Sequence, residues 1–214
     1  MMAGPEEKAD VAQYFQQQGQ MQNAISLYHK SGNLEYAIEL AFQEGEYDIL
    51  QKIATELPPD ADPHLLQRCA EFFIQRGKFD TAVNLFIMAK KYEDALNLCV
   101  ENNVTINEEL AEKFTLDKND TDKKLQYIHF RKIGESCMIQ ENYHLAAKKF
   151  TQAGDKIKAM KALLKSGDTE RIIFFANVSR QREIYVMAAN YLQTLDWRNG
   201  GDVIKHIITF YTKR

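Results

Sequence analysis

The 214-residue chain is poor in several things at once, and each shortage excludes a class of protein. Only four prolines and ten glycines punctuate it, so little breaks a helix once started. No window reaches eighteen consecutive apolar residues, which rules out a membrane-spanning helix. The opening, MMAGPEEKAD, lacks the apolar core of a secretory signal peptide. The three cysteines, Cys69, Cys99 and Cys137, are odd in number and far apart. They form no CxxC pair, imply no disulfide framework and suit a reducing, intracellular setting. Strict apolar/polar alternation, the mark of a half-buried strand, is scarce.

What remains is 45% hydrophobic and 27% charged, enough to bury a core and too apolar for disorder. The net charge of −3 hides a polarity. Residues 1–114 carry 9 Lys and Arg against 19 Asp and Glu, a balance of −10. Residues 115–214 carry 18 against 11, a balance of +7. Opposite poles suit orientation-dependent partners, although long helical arrays also drift in charge without consequence. The composition divides the chain into an acidic array over 1–115, a loop or hinge over 116–122 and a basic continuation of the array over 123–214.

One short sentence occurs three times: QGQMQNAISLY at 18–28, RGKFDTAVNLF at 76–86 and QENYHLAAKKF at 140–150. Gly19, Gly77 and Glu141 share a column, as do Ala24, Ala82 and Ala146, then Tyr28, Phe86 and Phe150. The match runs on into the following helix at Ala37, Ala95 and Ala159. A shorter period lies inside: Gly19, Gly32 and Gly45 stand 13 apart, as do Gly154 and Gly167. Glycine ends a helix by taking the left-handed conformation, and Asn33 or Asp168 just beyond it is placed to cap the next. A large apolar residue and an alanine three later share one helical face, the alanine admitting a neighbour closely. No such helix buries its stripe alone, whereas stacked pairs do. The expected fold is therefore all-α, a right-handed α-solenoid of stacked, tetratricopeptide-like hairpins with about fourteen helices. The spans are 5–17, 21–30, 34–44, 46–56, 63–76, 79–89, 92–101, 106–114, 121–140, 143–152, 155–165, 168–178, 180–194 and 201–212. LPPDADP (57–63) interrupts the first half, with Pro58 and Pro59 closing one helix and Pro63 opening the next.

GQMQNAISLYHKSGNLEYAIELAFQ (19–43) resembles the tetratricopeptide-type helices of the large subunits of intraflagellar transport complex A. The stretch 142–198, above all the run from SGDT through FFANVSRQREIY to AANYLQTLDW, is similar to the late helical region of that complex's one-hundred-and-forty-kilodalton subunit family. The resemblance spans essentially the whole chain. It implies a piece of a longer protein in which twin WD-repeat propellers precede the solenoid. It also implies a scaffold role at the cilium, the ciliary base (basal body) and in the cytoplasm. The scaffold would join other complex A subunits and cargo adaptors, support retrograde transport and help membrane proteins enter the cilium. No catalytic residue, cofactor or metal site comes with it. A vesicle-coat-like scaffold outside cilia is the nearest alternative of the same kind.

Chemistry-bearing residues give little to set against this. The five histidines form no HxxxH, and His129 with Cys137, eight apart, supplies two ligands where zinc wants about four. No phosphate-cradling loop, nucleophile elbow or Cys–His motif occurs. Cys69 and Cys99 lie on apolar faces and read as small core residues. A basic set is more suggestive. Lys158, Lys161 and Lys165 line one face of helix 155–165, opposite a stripe of Ile157, Met160 and Leu164. Lys148, Lys149, Arg171, Arg180 and Arg182 extend the set into a ridge. Such a ridge is either a solvated face or a surface for an acidic protein segment, anionic lipid or nucleic acid. A base-reading array would need a recurrent polar code position, and none recurs. IIFFANV (172–178) is apolar nearly all round, as a core helix or a docking surface would be. The last helix, DVIKHIITFYTKR, presents Val203, Ile204, Ile207, Ile208 and Tyr211 on a broad apolar face. That face either packs inward or supports self-association through Ile204, Ile208 and Tyr211. Trp197 follows the helix over 180–194 and is placed to anchor its last turn.

Overall fold

One kind of turn, used again and again, organises the backbone. A computed structural model describes residues 4–58, 61–115, 123–198 and 201–213. Among them fourteen helices follow in order, with no strand. They are α1 (Pro5–Gln17), α2 (Met21–Lys30), α3 (Leu34–Glu44), α4 (Tyr47–Glu56), α5 (Pro63–Gln75), α6 (Phe79–Met88), α7 (Tyr92–Glu101), α8 (Glu108–Lys113), α9 (Lys123–Ile139), α10 (Tyr143–Gln152), α11 (Lys156–Ser166), α12 (Thr169–Ser179), α13 (Arg182–Gln193) and α14 (Gly201–Thr212). Expected and observed boundaries agree within two residues. The hinge expected over 116–122 lies outside the described residues, as does Pro59.

Residues with left-handed backbone stand at 19, 32 and 45, at 77, 90 and 103, and at 141, 154, 167 and 180. Within each series the spacing is thirteen. Sequence reading catches only the glycines. Lys90, Asn103, Glu141 and Arg180 take the same conformation, with φ between 52° and 59°, although a Cβ there costs roughly 1–2 kcal/mol. At eight of the ten turns the next N–H reaches back to the carbonyl five residues earlier. Gln20 to Phe15, Lys91 to Phe86 and Asn142 to Cys137 are examples, at 2.9, 2.8 and 2.9 Å. At four of these turns, after Gly32, Gly45, Glu141 and Gly154, the next residue also forms an inverse γ-turn, as where Tyr143 N–H donates to the Glu141 carbonyl at 3.0 Å. Two residues thus reverse the chain and open the next helix. Asp155 and Asp168 add side-chain caps on the Lys158 and Arg171 amides, whereas Asn33, expected to cap, makes no such bond.

The chain divides into two compact units after Leu98. In the first, α1 packs on α2, α2 on α3 and α4, α3 on α4 and α5, and α5 on α6. In the second, α9 packs on α10, α10 on α11, α11 on α12 and α13, α12 on α13, and α13 on α14. Contact with both the next helix and the next but one is how stacked hairpins bury their stripes. The repeat columns are the core: Ala24, Ala82 and Ala146 are fully buried, as are Ala37, Ala95 and Ala159, and Tyr28, Phe86 and Phe150 are nearly so. A further column was there to be read. Ala12, Ala70 and Gly134 follow the same 58- and 64-residue steps, and the two alanines are wholly buried. At Gly134 an added Cβ would stand 2.8 Å from the Phe150 ring, so α9 stays bare where that ring lies against it. All three cysteines are buried, as small core residues are.

Candidate protein-binding groove

In the second unit a groove of about 420 Å³ runs between α10 and α12. Leu145, Ala147 and Leu163, each 5% exposed, supply buried apolar floor. Phe174 forms a wall and is 68% exposed, a large ring left in water. Val178, one turn on, is 54% exposed and continues the same face of α12. IIFFANV is thus not a helix enclosed on all sides: Ile172 and Ala176 turn inward while Phe174 and Val178 turn out.

Charged groups stand at the mouth. Lys148 Nζ lies 3.0 Å from Glu108 Oε1, and that hydrogen bond holds the Glu108 carboxyl below its usual range and raises Lys148. Arg171 donates to His144 Nδ1 at 3.3 Å and pairs with Asp168 at 3.3 Å. Each cation therefore has a nearby carboxylate that a ligand's own carboxylate can replace.

The expected basic ridge does not form as one surface. Lys149 is fully buried, its Nζ 3.2 Å from Glu112 and 5.5 Å from the centre of the Phe130 ring. Its position explains this: it stands in the column of Leu27 and Leu85, on the inward stripe of α10. Lys158 is bound to Glu135. Lys161, Lys165, Arg180 and Arg182 are exposed, Lys165 with its ammonium 5.9 Å above Tyr143. The buried stripe of α11 is Ala159, Met160, Ala162 and Leu163, with Ile157 and Leu164 only half-buried. Of the eight basic residues, Lys148 and Arg171 meet at the groove.

On α14 the apolar residues split into two faces. Ile207 and Phe210 are buried, Phe210 stacked on Tyr185 of α13 with centroids 5.5 Å apart. Ile204, Ile208 and Tyr211 face out, 37, 58 and 44% exposed. Trp197 is half-buried, and the Arg198 guanidinium lies 5.1 Å from its ring.

Two of the thiols are unsuited to nucleophilic work, since burial pushes Cys69 up to about 12 and Cys137 up to about 11. Burial also lowers His129 below its ordinary value, against the opposing pull of its bond to the Phe114 carbonyl. No group of three or more potential metal ligands gathers among the described residues. None of their helices is long and apolar enough to cross a membrane.

Sequence reading missed Gln140. Its side-chain carbonyl accepts from Ile106 N–H at 2.8 Å, and its amide donates to the carbonyls of Cys99 and Val104 at 3.1 and 2.7 Å. Asn142 adds a bond to the Ile106 carbonyl at 3.1 Å. Together they fasten the segment before α8 to the turn between α9 and α10, and Glu108 beside the groove begins α8.

Compared with known proteins, residues 1–210 match the family described as the TPR domain of intraflagellar transport proteins 140 and 172. A stretch of 93 residues, 44% of the chain, is 29% identical to WD repeat-containing protein 35 of Mus musculus and spans 8% of that protein. The same protein of Rattus norvegicus is 28% identical over 93 residues, again 44% of this chain and 8% of the relative. The chain thus aligns with a small part of the length of these relatives.

Proposed function

The chain belongs to the TPR domain family of intraflagellar transport proteins 140 and 172, and from that premise we propose that it is a non-catalytic scaffold segment of an intraflagellar transport complex. In this reading it joins subunits of complex A and cargo adaptors at the cilium and its base. It thereby supports retrograde transport and the entry of membrane proteins. Its mechanism is geometric: hairpins set at a fixed chain spacing hold partner-binding faces at fixed places. Affinity comes from apolar anchors and selectivity from charge.

The observation that carries this reading is Phe174, whose ring stands in water above an apolar floor beside Lys148, Arg171 and His144. That combination suits a partner segment with an apolar side chain for the ring and a carboxylate for the cations. The test is capture of complex A subunits by the intact chain and by Phe174→Asp, a surface change that leaves the core untouched. Capture by the wild type, reduced at least about tenfold in the variant, is the expected result. Equal capture by both removes the groove from the proposal. No capture by either removes the scaffold reading itself.

A further inference from the structure

Two carboxylates stand at the mouth of the groove, and they are held in different ways. Asp168 is engaged at both oxygens. Its Oδ1 accepts from the Arg171 amide at 3.1 Å as the cap of α12, and its Oδ2 lies 3.3 Å from Arg171 Nε and 4.0 Å from His144 Nε2. Moving it away would uncap the helix, so Arg171 keeps its carboxylate. Glu108 has a single hydrogen-bond partner for its side chain among the described residues, Lys148 at 3.0 Å, and that side chain is 72% exposed. The backbone beneath it is fixed: Asn107 caps α8 on the Leu110 amide at 2.8 Å, and Gln140 and Asn142 hold Ile106. Glu108 is thus a carboxylate on a fixed tether, released by side-chain rotation alone. The other acids of α8 are committed elsewhere, Glu109 to Lys113 at 3.2 Å and Glu112 to buried Lys149 at 3.2 Å.

Taking the groove as the partner site proposed above, we infer that Lys148 is the seat of the partner's carboxylate and that Glu108 occupies this seat in the free chain. A tethered acid competes at a high effective concentration, so a lone carboxylate from solution gains little by replacing it. A segment that also lays an apolar side chain against Phe174 brings the surplus needed to displace it. Glu108 lowers the affinity of any acidic segment by the cost of its own displacement. Acid alone is then not enough, and an apolar anchor beside the ring becomes a requirement.

The experiment measures, at low salt, binding of purified complex A subunits to the immobilised 214-residue chain and to Glu108→Gln, Lys148→Gln and the double variant. Glu108→Gln keeps the size of the side chain and is expected to bind about two- to fivefold more tightly than the wild type, the scale of an exposed ion pair. The gain is expected to shrink as salt rises. Lys148→Gln is expected to bind more weakly, and adding Glu108→Gln to it to change nothing, because the competitor acts through Lys148. A merely structural Glu108 would weaken binding on substitution. Should faster exchange of the Ile106 amide show that Glu108→Gln loosens α8, Glu108→Asp serves in its place, keeping the charge at the start of the helix but withdrawing it from Lys148 by one methylene. Binding no tighter than that of the wild type overturns the inference, and so does a gain that persists without Lys148. In either case the groove reading stands as long as Phe174→Asp still binds poorly. Absence of binding by the wild type and every variant removes that reading and the inference together.

Discussion

The two units are written in the same repeat and differ in which contacts between helices are densest. Residues 4–98 hold the denser cluster of rings. Tyr28 meets Tyr36 edge-on at 4.7 Å, and Phe72 touches Phe42, Tyr47 and Phe73 at 4.5, 5.1 and 5.6 Å. Arg76 closes the cluster with its guanidinium 3.6 Å above Tyr47. The described residues of 99–213 have one ring stack, Phe210 on Tyr185, and add polar lacing at a turn and around buried groups: Gln140 and Asn142 across a turn, Glu112 on buried Lys149, and Glu135 shared by Lys158 and Arg131. The backbone sentence therefore fixes the hairpin but leaves open what joins one hairpin to the next. Ring contacts are insensitive to salt and pH, and polar lacing is not.

The largest test removes the hub of the first unit. Phe72→Ala should cost about 3–5 kcal/mol, seen as a lowered urea midpoint. Hydrogen exchange should quicken in α4–α6 and stay slow in α9–α13. Next, Gln140→Ala should cost about 2–3 kcal/mol, because an amide and two carbonyls lose their partner. The Ile106 amide should lose its protection first, and an unchanged rate there would deny the lacing its role. Third, Gly134→Ala should cost about 1–2 kcal/mol against the Phe150 ring. The gain in helix propensity, roughly 0.5–1 kcal/mol, works in the opposite direction.

Smaller effects sharpen the contrast. Lys90→Gly in the first unit and Glu141→Gly in the second should each stabilise by about 0.5–1 kcal/mol, by relieving left-handed strain. Gly77→Ala should cost about 1 kcal/mol for the converse reason. Acid should act on the second unit. His129 is held below 6.5 chiefly by burial, so the unfolded chain protonates first as pH falls through that value, and stability declines. Burial alone would raise Glu135, but its bonds from Lys158 and Arg131 outweigh that and hold it below 4.5. Its contribution is complete above 4.5 and fades as pH drops beneath. Exchange protection in α9–α11 should therefore fall before that in α2–α6 between neutral and acid pH. The reverse order would undo the comparison.

Most of the architecture could be read from the residues because the instructions for it are local. A glycine, a large apolar residue and an alanine specify turn, stripe and close approach within a dozen positions. The left-handed Lys90 and Arg180 carry no such signal in their identity, and only the count of thirteen reveals them, whereas Asn103 is of a type that tolerates the conformation. Glu141 sat in the glycine column and could have been read. Lys149 could also have been placed, since its column is otherwise leucine. The groove could not. Whether Phe174 or Ile172 of an apolar helix meets water depends on which side its neighbours take, and that information lies elsewhere in the chain. Gln140 was invisible for the same reason, its partners being 34 to 41 residues away.

The spacing of the left-handed positions also governs how such a chain tolerates gain and loss of sequence. Ala24, Ala37 and Leu50 stand thirteen apart and are all fully buried, as are Ala146, Ala159 and Ile172. A deletion of thirteen residues between equivalent turns would therefore bring one inward-facing residue to the place of another, whereas a length that is not a multiple of thirteen would shift the inward column off the turn.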